Sequence, residues 1–145
     1  MNTPPRPDDY KPINLVDACR LRSNELTRIL AGAVVINPTE VLPLIDRLRP
    51  DSLTDNAAKE FILEMKNRLP ELQNSDNDHQ GVIFIEWATD HHLLFDLAMW
   101  MTEVKYSIED AKNAVQELQK LAIAINALEG LQDWIKAREE YIYGR

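Results

Sequence analysis

Between Tyr106 and Tyr143 no proline interrupts the chain, and apolar residues recur there at helical spacing. Ser107 stands ahead of the run with Asp110 three residues on, a capping box in which Asp replaces the longer Glu or Gln. Ile108, Ala111, Val115, Leu118, Ala122 and Ile125 follow at steps of three and four, which lays them on one helical face. A second series, Leu118, Leu121, Ile125 and Leu128, overlaps the first and rotates the stripe. Gly130 is the weak interior position, costing about 1 kcal/mol relative to Ala. At ~1.5 Å per residue a helix over this stretch is roughly 50 Å long, whereas a domain of this size is about 30 Å across. Such a helix must project beyond the body or lie along another long partner. A chain organised around it is all-α, and its long helix is a scaffold for contact between proteins.

The preceding residues read as a series of shorter helices. Pro4, Pro5, Pro7 and Pro12 keep residues 1–13 from regular structure, predicting a flexible arm ahead of one helical domain over 14–145. Asn14 can cap a turn beginning at Leu15, and the first clear helix then carries Leu26, Ile29, Leu30, Ala33 and Val34 on one side. Asn37-Pro38-Thr39-Glu40 ends it and opens the next, with Asn as cap and Pro in the first turn. That second helix presents Val41, Leu44, Ile45 and Leu48, with Pro43 inside it, and stops at Arg49-Pro50. Asp51, Ser52 and Thr54 offer caps for a third, which bears Ala58, Phe61, Ile62, Met65 and Leu69 up to Pro70. Residues 73–81 read as a polar loop. Val82 to Trp87 fits a short buried helix or an extended segment, since its β-branched run has no second strand to pair with. Leu93 to Val104 forms a further helix, and the short link to Ser107 predicts an antiparallel hairpin with the long last helix. The division expected is a head over 14–92 and a protruding hairpin over 93–140.

Charge and residue chemistry narrow the function classes. The 145 residues carry a net charge of −8, and residues 50–96 alone hold ten acids against three bases. That is the opposite of the basic footprint nucleic-acid binding requires, so no direct nucleic-acid contact is expected. Gly32, Gly81, Gly130 and Gly144 are the only glycines, and none begins a phosphate-binding loop. His91 and His92 are adjacent and would point ~100° apart on a helix, a poor geometry for sharing a metal. The single Cys19 allows neither an internal disulfide nor a cysteine-based zinc site and fits a reducing cytoplasm. No apolar run reaches the ~18 residues of a membrane span. No enzyme activity and no cofactor are expected.

With these elements in order, Leu26 to Pro38 resembles the opening helix of the N-terminal domain of DnaB-type hexameric replicative DNA helicases. Leu48-Arg49-Pro50-Asp51-Ser52-Leu53 resembles the turn that follows in that family, and Phe61 its aromatic anchor. Leu93 to Leu97 and Tyr106 to Ala111 look like the two sides of its hairpin. The chain departs from the family in placing His91-His92 where a glycine pair precedes the hairpin, in Leu53-Thr54 at the acidic turn, and in having no ATPase domain within its 145 residues. The primase C-terminal domain has a similar head-plus-hairpin form. The resemblance implies a module of DNA replication that forms a collar by pairing hairpins and receives helicase, primase or loader proteins. The other reading of the residues is a helical adaptor or regulator unrelated to replication.

Two sets of contact residues follow. Val104, Tyr106 and Ile108 cluster at the expected hairpin turn beside Trp100 and Met101, and Tyr106, outside both apolar stripes, is the predicted hot spot there. Leu121, Leu128 and Leu131 exceed what one antiparallel neighbour covers, which predicts a homo-oligomer paired through the hairpin.

Overall fold

A computed structural model describes residues 14–104 and 106–143. The arm expected over 1–13 lies outside the described residues, apart from which every element is helical or a turn. The helices are α1 (Leu15–Ile36), α2 (Pro38–Ile45), α3 (Asn56–Asn67), α4 (Leu69–Gln73), α5 (Asn77–Asp90), α6 (Leu94–Glu103) and α7 (Ile108–Tyr143). A 3-10 turn at Pro50–Ser52 joins α2 to α3, and no strand occurs among the described residues.

Helix ends are set by the local chemistry of the sequence. The Asn14 side chain accepts from the Asp17 amide at the start of α1, and Asn37 does so from Glu40 at the start of α2. Ser107 Oγ accepts from the Asp110 amide at 3.0 Å, which starts α7 as its capping sequence predicts. The cap of α3 is Asp55, accepting from Ala58, and not Asp51, Ser52 or Thr54. Asp55 also takes an ion pair from Arg28 at 2.9 Å, so the same carboxylate caps one helix and ties it to another. Pro70 does not simply stop α3. It opens the short α4, where a missing amide hydrogen costs nothing. The polar stretch 73–81 is largely helical too, because Asp76 caps α5 at Asn77, and Val82 to Trp87 are interior residues of that helix.

The α5–α6 junction turns on His92, whose φ of 58° lies in the left-handed region. A β-carbon in this region costs about 1 kcal/mol relative to glycine. His92→Gly is accordingly expected to raise stability by about 1 kcal/mol, read as a higher urea midpoint with an unchanged slope.

Helix α1 is the axis of the head, with α2, α3, α6 and α7 packed around it. Leu30, Val34, Val41, Leu42, Ile45, Phe61, Ile62, Met65 and Leu72 are fully buried between these elements. Leu48 and Leu53, on either side of the 3-10 turn, are buried as well and fasten that turn to the core. Phe61 sits in an aromatic cluster, its ring 5.5 Å from Phe84, 5.3 Å from Trp87 and 5.7 Å from Trp100.

The expected hairpin is not formed. Helix α7 lies along α1, and α6 and α7 share no extended packing. The reason is that α6 already buries Leu97 and Trp100 against α1 and the aromatic cluster, while α7 offers Ala111, Ala114, Val115 and Leu118 to the other flank of α1. Two small alanines in that set let the long helices approach closely, and α1 is the partner long enough to match them. The boundary between a head at 14–92 and a hairpin at 93–140 therefore does not describe the packing: α6 and the first half of α7 both belong to the head.

Candidate interaction surface

Helix α7 contains 36 residues, which at ~1.5 Å each makes it about 54 Å long. Its direction relative to α1 follows from the contacts. Tyr106 and Ala114 share a cleft with Ala33 and Leu26, Glu117 pairs with Arg22, and Glu129 pairs with Arg20, so the two helices run antiparallel. Arg22 meets Glu117 through both Nε and Nη2, the latter at 3.1 Å, and these bonds hold the Glu117 carboxyl below the usual carboxylate range. Gln119 adds a bond from its side-chain amide to the Arg47 carbonyl oxygen at 3.2 Å. Both ion pairs are substantially exposed and contribute no more than about 1 kcal/mol each, so they set register more than stability.

Past Glu129 the helix leaves the body. Every residue from Gly130 to Tyr141 is exposed, including Leu131 (53%), Trp134 (59%), Ile135 (43%) and Tyr141 (77%). The sides of the helix exchange character at that point. With ~100° per residue, Glu129, Gln132, Asp133, Lys136 and Glu140 fall in the same sector as the buried Ala111, Ala114, Val115 and Leu118. Leu131, Trp134, Ile135 and Tyr141 fall on the opposite side, with Arg138 among them and set over the Trp134 ring at 5.5 Å. Ile123, 70% exposed, begins that side. The apolar stripe of the projecting half thus faces away from the head, and a straight helix cannot turn it back.

The residues expected at a partner-binding turn are placed otherwise. Val104, Tyr106 and Ile108 are half-buried, not solvent-facing, because the link between α6 and α7 is pressed onto α1. Val104 and Tyr106 line a cleft of about 290 Å³ with Arg22, Leu26 and Glu117. Trp100 is core, whereas Met101 is exposed. Burial holds the Tyr106 phenol above its ordinary pKa, and its hydroxyl has no hydrogen-bond partner among the described residues although Asn37 and Glu40 lie nearby. Tyr106 is therefore a packing residue. Tyr106→Ala is expected to lose about 2 kcal/mol of stability, and Tyr106→Phe to lose none, since it removes an unsatisfied hydroxyl while keeping the ring. Chemical denaturation of the two variants separates ring packing from hydroxyl chemistry.

The self-association set is also redistributed. Leu121 is half-buried and packs against the core, Leu128 is half-buried, and Leu131 is exposed on the projecting face. Ile123, Trp134, Ile135 and Tyr141 join that face and were not foreseen. Their signal is present in the sequence once residues 123–141 are taken apart from 108–125, because Trp134 and Tyr141 follow Ile123 by eleven and eighteen residues, whole numbers of turns. Averaging over the full helix cancels two stripes of opposite direction.

Among the described residues there is no grouping of three or more His, Cys, Asp or Glu able to hold a metal ion, and no helix long and apolar enough to cross a membrane. Comparison of the chain with protein-family models, curated proteins and solved structures finds no match.

Proposed function

We propose that this chain is a non-enzymatic protein–protein interaction module that self-associates through the projecting half of α7. The observation that carries the reading is the reversal of the apolar side near Gly130, which leaves Leu131, Trp134, Ile135 and Tyr141 exposed on a stretch of helix that has no tertiary support among the described residues. Isolated helical segments of this length are marginal, and most helical stability comes from packing an apolar face. A second copy supplies that packing. Leu128 and Ile135 stand seven residues apart with Leu131 between them, the spacing of a coiled-coil seam, and Glu129, Asp133, Lys136 and Glu140 stay on the outer side.

The partner class comes from the resemblance to the helicase N-terminal domain: a helicase, primase or loader of the replication machinery, met in the cytoplasm. Support for it lies in the sequence from Leu26 to Pro38 at the end of the long α1, the turn fastened by Leu48 and Leu53, the Phe61 anchor and the left-handed backbone at His92. The packing of α7 on α1 instead of α6 favours the second reading, an adaptor or regulator outside replication, because a collar made of hairpins needs the α6–α7 pair. Titrating the full chain against a purified replicative helicase, its primase and its loader, by light scattering or calorimetry, tests the two readings. Micromolar or tighter binding to one of the three supports the replication role; no binding to any of them leaves the second.

A further inference from the structure

The outward side of α7 is graded in size along its length. Ala124 and Ala127 come first, Leu131 stands in the middle, and Trp134, Arg138 and Tyr141 fill the far end. At ~100° per residue all six lie within about 80° of Leu131. Gly130 borders the small end and Ile135 the large end. A β-carbon at Gly130 would meet nothing within 4 Å, so no other part of the described chain uses the room beside it. Arg138 is the one charge near the middle of the large end, lying over the Trp134 ring at 5.5 Å. Towards the head the same sector continues as Glu109, Asn113, Gln116 and Lys120, all exposed.

A second copy can lie on this stripe in either direction. The heads do not choose, because α1 packs on the opposite side of α7 and leaves each head outside the pair. In a parallel pair in register every residue meets its own copy. Trp134 and Tyr141 then press on their equals while Ala124 and Ala127 leave a gap, and Arg138 faces Arg138 and Lys120 faces Lys120. An antiparallel pair crossing near residues 132–133 reverses the gradient. Trp134 lies on the other copy's Leu131, Arg138 over its Ala127, Tyr141 over its Ala124, and Ile135 beside its Gly130. Gln116 and Lys120 stay outside the paired stretch. Ile123, Leu131, Trp134, Ile135, Arg138 and Tyr141, at roughly 100 Å² each, amount over two copies to on the order of 1,000 Å², near the lower bound for a specific interface. So small an interface needs its whole length filled. We propose that two copies pair antiparallel through residues 123–141, each laying its large end on the other's small end; this rests on the self-association reading above. The pair holds its two heads at opposite ends.

Spin labels on the full chain read the direction. Cys19→Ser removes the native thiol, and Gln116→Cys carries the label at an exposed position of the outward sector, ahead of the paired stretch. Pulsed dipolar spectroscopy is run at a concentration where sedimentation shows the labelled chain associated. The antiparallel pair is expected to hold the two labels about 50 Å apart. A distance within about 20 Å, which a parallel pair gives, would overturn the proposal. An associated sample without a defined distance would overturn it too, since another face would then be the occupant. Cysteine cross-linking checks the register. Ala127→Cys and Arg138→Cys, each with Cys19→Ser, are oxidised separately and as a mixture. A disulfide-linked dimer is expected in the mixture alone, because each thiol lies about 16 Å from its own copy in the antiparallel pair. Linkage within each separate sample would contradict it. A monomer in every sample refutes self-association itself and this pairing with it, whereas an associated chain with a short label distance refutes the pairing alone.

Discussion

Phe61→Ala is expected to cost about 4 kcal/mol of folding stability, the largest loss of any single side-chain truncation in the head. The ring is fully buried on α3 and touches Phe84 and Trp87 of α5 and Trp100 of α6 at centroid distances of 5.3 to 5.7 Å. Three elements therefore close on one side chain, and no neighbouring group can collapse into the space without moving a helix. Loss of the ring removes its transfer free energy, leaves a cavity and ends three edge-on or tilted aromatic contacts. The same residue fixes the relative placement of α5 and α6. Urea unfolding followed by the fluorescence of Trp87 and Trp100 measures the effect. A loss under about 1.5 kcal/mol would mean that the cluster is loosely packed.

The second large effect is expected at Gly32, with the opposite sign from helix propensity. Ala is about 1 kcal/mol better than Gly in a helix interior, so Gly32→Ala, four residues before the end of α1, would ordinarily stabilise. Here a β-carbon would run into the Trp100 carbonyl oxygen and the Val104 side chain. Backbone oxygen on one side and a half-buried valine on the other cannot both yield without displacing the end of α6 from α1. The net result expected is a loss of about 3 kcal/mol. Thermal or urea unfolding of Gly32→Ala decides between the two, and a stabilised variant would show that α6 is free to move off α1.

The all-α class and most helix positions are legible because they rest on local chemistry. Asn37 and Ser107 cap the helices that their positions predict, Asn14 caps not just a turn but the whole of α1, and Leu118, at the crossing of the two stripes of α7, is fully buried. What failed was pairing. The short link after α6 suggests an antiparallel neighbour, yet two adjacent helices need only be joined, and both found a better-matched surface on α1. Tyr106 was misplaced for the same reason, since its burial depends on where α7 lies and not on its own neighbours in sequence. Residues 73–81 read as a loop because their polar face hides a helix whose inner side shows only Gln80 as a buried residue before Ile83. The contact face beyond Gly130 was half visible: Leu131 belonged to the expected set, while Trp134 and Tyr141 lie on a stripe that the proximal one masks.

Sedimentation velocity of the full chain at tens of micromolar, beside the Leu131→Lys/Ile135→Lys variant, tests most directly whether the projecting half of α7 is an interface. Both substitutions fall on exposed positions outside the core, so the variant is expected to fold with an unchanged helical spectrum. The expected result is a dimer or larger species for the natural chain, concentration-dependent and reduced to monomer in the variant. A strict monomer for the natural chain, or an oligomer that both substitutions leave intact, would contradict the account.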